Sequence, residues 1–175
     1  MKDVVFVTGN ENKARYFNKL VGMNIEHVNV DIEEIQSLDI RAVVEHKAKI
    51  AYEQVKRPVV VEDTQLIFNA LGRLPGPLIK WFMEELGVDG LCHLVSVYSD
   101  KTAIASAVIA YYDGSLLEIK EKSLSGSIAP SPRGKSGFGW NRIFVPDGSE
   151  KTLGEMDESE FHIWYKKVKA FDELK

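Results

Sequence analysis

The apolar run Val4-Val5-Phe6-Val7 stops abruptly on Thr8-Gly9-Asn10, and a helical pattern starts at Glu11. Four apolar residues in a row, three of them valine, read as a buried strand. A buried strand that turns directly into a helix narrows the fold to the α/β classes. The turn has a second property. Backbone N–H groups are free at a helix N-terminus, and the helix dipole favours an anion there. Two readings stay open at this point. Either Asn10 caps the helix and Lys13 is solvated, or Thr8, Gly9, Asn10 and Lys13 hold a phosphate. The Walker spacing G-x-x-x-x-G-K-[ST] is absent.

The alternation continues. Ala14, Phe17, Leu20 and Val21 share one helical face, and Gly22 suits a C-terminal cap. "IEHVNV" reads as a strand, and "RAVVEHKAKIAYEQV" places Val44, Ala48, Ala51 and Val55 at helical spacing. "PVVVEDT" reads as a short buried strand that ends on Glu62 and Asp63, and "LIKWFMEEL" as a helix after a Gly/Pro loop. Two long strands then meet at Asp113-Gly114, a hairpin signal. A glycine-rich loop, "PSPRGKSGFGW", leads to the short strand "RIFVPDG". The last helix is expected to be capped by Asp157 with Glu160 in return, its apolar stripe formed by Phe161, Trp164, Val168 and Phe171. The expectation is one α/β domain over residues 1–175, with two lobes around a cleft.

Composition excludes several classes. Of 175 residues, 45% are apolar and 27% charged, which is a globular rather than a disordered balance. A net charge of −4 argues against a general nucleic-acid surface, which would need a basic stripe, and leaves room for a local basic pocket. No segment reaches membrane-spanning length and no leader peptide is read, so a cytoplasmic protein is expected. The lone Cys92 reads as a small core residue. The four histidines show no zinc-ligand spacing, and there is no G-x-S-x-G elbow.

Two further features can carry chemistry. Glu62 and Asp63 are adjacent on a strand and so point to opposite faces. A carboxylate there can bind Mg²⁺ or cap a turn, and "DIEEIQ" can add another. In "GFGW", glycines flank Phe138, and Trp140 follows; such rings either stack on a base or plug the core.

Taken in order, "TGNENK", "VEDTQLIFNALGRLPGPLIKWF" and "PRGKSGFGWNRIFVPDG" resemble the inosine triphosphate pyrophosphatase family, the non-canonical purine nucleoside triphosphate pyrophosphatases. The resemblance implies a two-lobed α/β fold, a long mixed sheet flanked by helices, a cleft between the lobes, and a homodimer. It implies Mg²⁺-dependent hydrolysis of ITP, dITP or XTP to the monophosphate and pyrophosphate. By resemblance, Thr8, Gly9, Asn10, Lys13, Lys47 and Lys80 hold the phosphates. Glu34 and Asp63 bind the metal, Asp63 also acting on water, while the role of Glu62 stays open. Phe138, Gly139 and Trp140 face the base.

The sequence departs from the family pattern where the base is read. Asn141-Arg142 stands in place of the usual Asp-Pro, and Tyr165-Lys166-Lys167 in place of Ser-His-Arg. An earlier family lysine falls at Phe161, and Gln65 replaces a usual glycine. Asn141, Lys166 and Lys167 are therefore expected to contact the base in an altered way, since lysine lacks the bidentate fork of arginine. The alternatives are a related pyrophosphatase of shifted base specificity and a nucleotide-binding protein without turnover.

Overall fold

A computed structural model describes residues 3–22 and 24–169 of the chain. Strand β1 (Val5–Val7) leads into helix α1 (Glu11–Val21), whose first turn is closed by the Asn10 side chain. Its Oδ1 accepts from the Asn12 and Lys13 N–H groups at 3.0 and 3.2 Å. Strand β2 (His27–Val28) comes next, then α2 (Ile40–Val55), capped by Asp39, and β3 (Val59–Phe68). The remaining elements are β4 (Pro75–Gly76), α3 (Ile79–Ser96), β5 (Thr102–Tyr112), β6 (Leu117–Ile128), β7 (Phe144–Pro146) and α4 (Glu158–Val168). The seven strands form one mixed sheet, ordered β2-β1-β3-β5-β6-β7 with β4 paired to β3. Among the described residues, α1 to α4 are the α-helices.

The described residues fall into two compact units, the first taking in 3–63, 107–122 and Lys169 and the second 64–106 and 123–168. In the first unit, β1 pairs in parallel with β2 and with β3. The strands show why the sequence has no polar alternation here. Val4, Phe6, Val60 and Ile109 pack with Ala14 and Phe17 of α1, and Phe6 stacks on Phe17 at 4.3 Å. Their neighbours Val5, Val7, Val59, Val61 and Val108 pack with Val44, Ala48 and Ala51 of α2. Both faces are covered, so every position must be apolar.

That register is broken by charge at Glu62 and Asp63, and the strand nevertheless continues. β3 is ten residues long, not the short strand expected to end on the two carboxylates. Leu66 and Ile67 pair with Gly76 and Pro75 of β4, which holds the strand extended beyond the charged pair. "IEHVNV" yields only the two-residue β2. Helix α3 runs well past "LIKWFMEEL" to Ser96, bending at Gly87, whose φ of 63° is a left-handed value. Its second half buries Cys92 as a core residue. Phe171 lies outside the described residues.

In the second unit, the glycine-rich loop is laced to the chain around it. The Arg133 N–H donates to the Arg142 carbonyl at 2.8 Å, and the Ser136 N–H to the Gly154 carbonyl at 2.9 Å. The Thr152 hydroxyl donates to the Arg133 carbonyl at 3.1 Å. Helix α4 has the expected capping box: Asp157 Oδ1 accepts from the Ser159 and Glu160 N–H groups, and Glu160 Oε2 accepts from the Asp157 N–H.

Gly134 has a φ of 82°, and a methyl group there would run into the Gly154 carbonyl. Gly134→Ala is expected to cost roughly 2 kcal/mol or more, from overpacking and a disfavoured φ together. A urea titration against the unaltered protein measures the loss.

Candidate active site

The register of the parallel strands assembles one end of the site. Val7 of β1 lies opposite Val28 of β2 and Val61 of β3. Thr8-Gly9-Asn10 therefore leave the carboxyl end of β1 beside Glu62-Asp63, which lie within β3 just past its last pairing with β1. Ligands of open α/β sheets bind at the carboxyl ends of strands. Thr8 is fixed by its N–H, which donates to the Val28 carbonyl at 3.0 Å, and by its Oγ1, which accepts from the Asn10 N–H at 3.1 Å. Gly9 lies against Asn29, whose Oδ1 would be 2.9 Å from any Cβ built there. Asn10 is the helix cap, but Lys13 is not the solvated lysine that went with that reading: its side chain is 14% exposed and faces Glu62 at 3.4 Å.

Glu62 comes two residues after Val60 on the α1 face of β3, and there its side chain has no solvent exposure. Two ammonium groups meet its Oε1: Lys169 at 2.6 Å and Lys13 at 3.4 Å. Glu62 Oε2 is buried with no hydrogen-bond partner among the described residues. Burial pushes the Glu62 carboxyl towards neutrality, but Lys169 and Lys13 outweigh it and hold its pKa below the ordinary value. Burial likewise works against the charge on Lys13. Glu62, Asp63 and Glu34 together prevail and hold Lys13 above the usual lysine value. Lys169 is held below it, by burial first and with the like charge of Lys13 adding to the effect, against the pull of Glu62.

Asp63, one residue on, falls on the α2 face and is half-buried. Glu34 is exposed, and its Oε1 accepts from Lys47 Nζ of α2 at 2.7 Å. Lys13 thus senses three carboxylates, two of them with access to solvent. Two accessible carboxylates suit Mg²⁺, which is commonly held by one or two carboxylates, waters and substrate phosphates. No set of three or more His, Cys, Asp or Glu side chains poised to hold a metal occurs among the described residues.

The remaining predicted residues lie in the second unit. Lys80 is exposed at the start of α3, its ammonium 5.0 Å from the Trp81 ring centre. Phe138 and Trp140 are half-buried, and Trp140 packs edge-on against Phe144 at 5.6 Å. Gly139 takes a φ of 60° between them, at the head of a turn of 3₁₀ helix, Gly139–Arg142. Asn141 is buried, and its Nδ2 has no hydrogen-bond partner among the described residues. On α4, Lys166 and Lys167 are exposed, with the Lys167 ammonium 3.8 Å from the Trp164 ring centre. Tyr165 is buried against Phe161 at 5.4 Å. Gln65 is buried close to Gly76.

Sequence reasoning therefore collects Thr8, Gly9, Asn10, Lys13, Glu34, Lys47 and Asp63 in the first unit. It missed Lys169 entirely. A signal was present: Phe161, Tyr165 and Lys169 are spaced by four, which puts a lysine on the buried stripe of the last helix.

Known proteins resemble the chain along nearly its whole length. The Ham1 family model matches residues 4–175, and the chain belongs to the Ham1 family. It is 40% identical over 164 residues to the inosine triphosphate pyrophosphatase of Schizosaccharomyces pombe, covering 91% of this chain and 86% of that one. It is 39% identical over 176 residues to inosine triphosphate pyrophosphatase 1 of Trypanosoma cruzi, covering 98% and 90%. The fold matches a HAM1 protein from Coxiella burnetii with a TM-score of 0.85 at 24% identity, covering 99% of this chain and 96% of that one. A nucleoside-triphosphatase, dITP/XTP pyrophosphatase, from Mycobacterium abscessus matches with a TM-score of 0.77 at 23% identity, covering 98% and 97%.

Removing Glu62 leaves two buried ammonium groups facing each other. Glu62→Ala is expected to lower stability by about 3–5 kcal/mol, the usual cost of stranding a buried charge. Chemical denaturation monitored by circular dichroism reads the change.

Proposed function

We propose that the chain hydrolyses non-canonical purine nucleoside triphosphates, ITP, dITP and XTP, to the monophosphate and pyrophosphate. One structural observation carries the reading. The Val7–Val61 register sets the Thr8–Lys13 turn, at the carboxyl end of β1, beside the Glu62–Asp63 pair of β3, and Lys13 is poised there among carboxylates. The names of relatives at about 40% identity support the same chemistry. A triphosphate brings about four negative charges, so positioning and charge neutralisation must supply most of the catalysis. Lys13 and the positive end of the α1 dipole hold phosphate oxygens, although the Asn12 and Lys13 N–H groups are taken by the Asn10 cap. Lys47 and Lys80 add positive charge. Glu34 and Asp63 would hold Mg²⁺, which when bound neutralises charge on the phosphates.

Asp63 orients a water and accepts its proton. The water oxygen bonds to the α-phosphorus, the bond from that phosphorus to the α–β bridging oxygen breaks, and pyrophosphate leaves with that oxygen. Phe138 and Trp140 stack on the base, with Gly139 keeping the approach open. The buried Asn141 amide offers its unengaged N–H to a purine carbonyl, and Lys166 and Lys167 supply further donors. Homodimeric assembly belongs to the same proposal and rests on the family resemblance, and a cytoplasmic location is carried over from the sequence reading. Among the described residues, no helix is long and apolar enough to cross a membrane.

A second reading, shifted base preference, is favoured by one observation. Asn141 presents a buried amide where the family pattern has a carboxylate, and a buried polar group left unpaired discriminates strongly among bases.

Pyrophosphate release with Mg²⁺ over ITP, XTP, dITP and the standard nucleotides decides between them. Preference for the first three supports the main reading, and activity confined to other bases supports the second. Nucleotide binding without release would overturn both. Asp63→Asn is expected to lower kcat by roughly a thousandfold or more at unchanged Tm. Near-normal turnover in that variant would remove Asp63 from its role.

A further inference from the structure

The cluster of Lys13, Glu62 and Lys169 holds two ammonium groups and one carboxylate, so one positive charge is in excess. Its geometry is unequal. Lys169 is the nearer partner of Glu62, at 2.6 Å against 3.4 Å for Lys13. Solvent access is unequal in the opposite sense. The Lys13 side chain is 14% exposed, whereas those of Lys169 and Glu62 are 3% and 0% exposed. Of these three side chains, Lys13 is therefore the one through which the charge is reached from outside.

We propose that Lys169 is a positioning residue: its ammonium occupies the Glu62 carboxylate and so leaves the charge of Lys13 available to the substrate phosphates. The inference rests on the reading of Lys13 as a phosphate ligand. Without Lys169, Glu62 would have Lys13 as its sole close cation among the described residues, in a place where the attraction is little screened. Lys13 would then turn inward to a full ion pair, and an incoming phosphate would meet a neutral cluster. The other carboxylates near Lys13 do not have this hold. Asp63 is half-buried and Glu34 is exposed and bonded to Lys47, so water and Lys47 weaken their pull. Glu62 in turn keeps Lys169 buried at the end of α4, 107 residues further along the chain.

Charge counting gives the test. Lys169→Met makes the cluster neutral. The double variant Glu62→Gln/Lys169→Met removes one charge of each sign and restores the single excess charge, carried by Lys13. Lys13→Met is the control for the underlying reading. Two quantities are measured for each: the calorimetric Kd for inorganic pyrophosphate, and kcat and KM for ITP with Mg²⁺.

Lys169→Met is expected to raise the pyrophosphate Kd and the KM roughly tenfold or more, with a much smaller change in kcat. The double variant is expected to return to within about threefold of the unaltered protein, and Lys169→Arg to stay near it. A merely structural lysine would not be rescued by removing its partner. Unchanged Kd and KM in Lys169→Met overturn the proposal, as does a double variant as weak as the single one. If Lys169→Met does not fold, the double variant decides alone: near-normal affinity supports the proposal and weak affinity overturns it. If Lys13→Met leaves the pyrophosphate Kd unchanged, the phosphate role of Lys13 fails and the proposal falls with it. If Lys13→Met weakens binding and Lys169→Met does not, only the role of Lys169 fails.

Discussion

Three parallel backbone pairings, Val5 with Val59, Phe6 with Val60 and Val7 with Val61, fix the aim of the polar residues that follow them, in the turn after β1 and within β3. Side chains alternate along a strand, so a slip of one residue would exchange the faces of every group on β3. Glu62 would leave the α1 face and Asp63 would take its place. The apolar residues hold the register because both faces are packed, on Phe17 and Ala14 on one side and on Val44, Ala48 and Ala51 on the other. The valines are thus responsible for the direction of each carboxylate. A core usually described as scaffold here sets which acid is buried and which meets solvent.

The buried acid is tolerated for an electrostatic reason. A lone carboxylate without water would take up a proton, and its pKa would rise. Two ammonium groups reverse that tendency at Glu62. The arrangement leaves neighbouring residues of one strand with different duties. Glu62 is an internal counter-charge, while Asp63 keeps access to solvent, as the proton transfer proposed for it requires.

Much of this was legible in the sequence where the signal is local. The β1–α1 turn, both expected caps of α4, the Asp113-Gly114 hairpin and the burial of Cys92 depend on neighbouring residues alone. The length of β3 was not legible. Charge at Glu62 and Asp63 looks like a strand end because its compensation comes from Lys13 and Lys169, which no local pattern connects to it. The extent of α3 was hidden for a different reason: Gly87 looks like a stop, yet the helix bends there and resumes. At the candidate site, motif residues of the first unit could be placed from resemblance, and Lys169 could not. Lys166 and Lys167, shortly before it, are surface lysines, and its spacing from Phe161 and Tyr165 distinguishes it from them.

The distance along the chain between Glu62 and Lys169 has a consequence for biosynthesis. During translation, β1, α1 and β3 leave the ribosome long before residue 169 is made. A nascent chain at that stage carries Glu62 with Lys13 as its nearest cation, and its charge is balanced rather than positive. The three-membered cluster is complete only when the last helix has been synthesised and Lys169 has reached Glu62. On the phosphate role proposed for Lys13, a partly made chain would be a poor trap for nucleotides, and the proposed grip on a polyphosphate would come with the late arrival of Lys169.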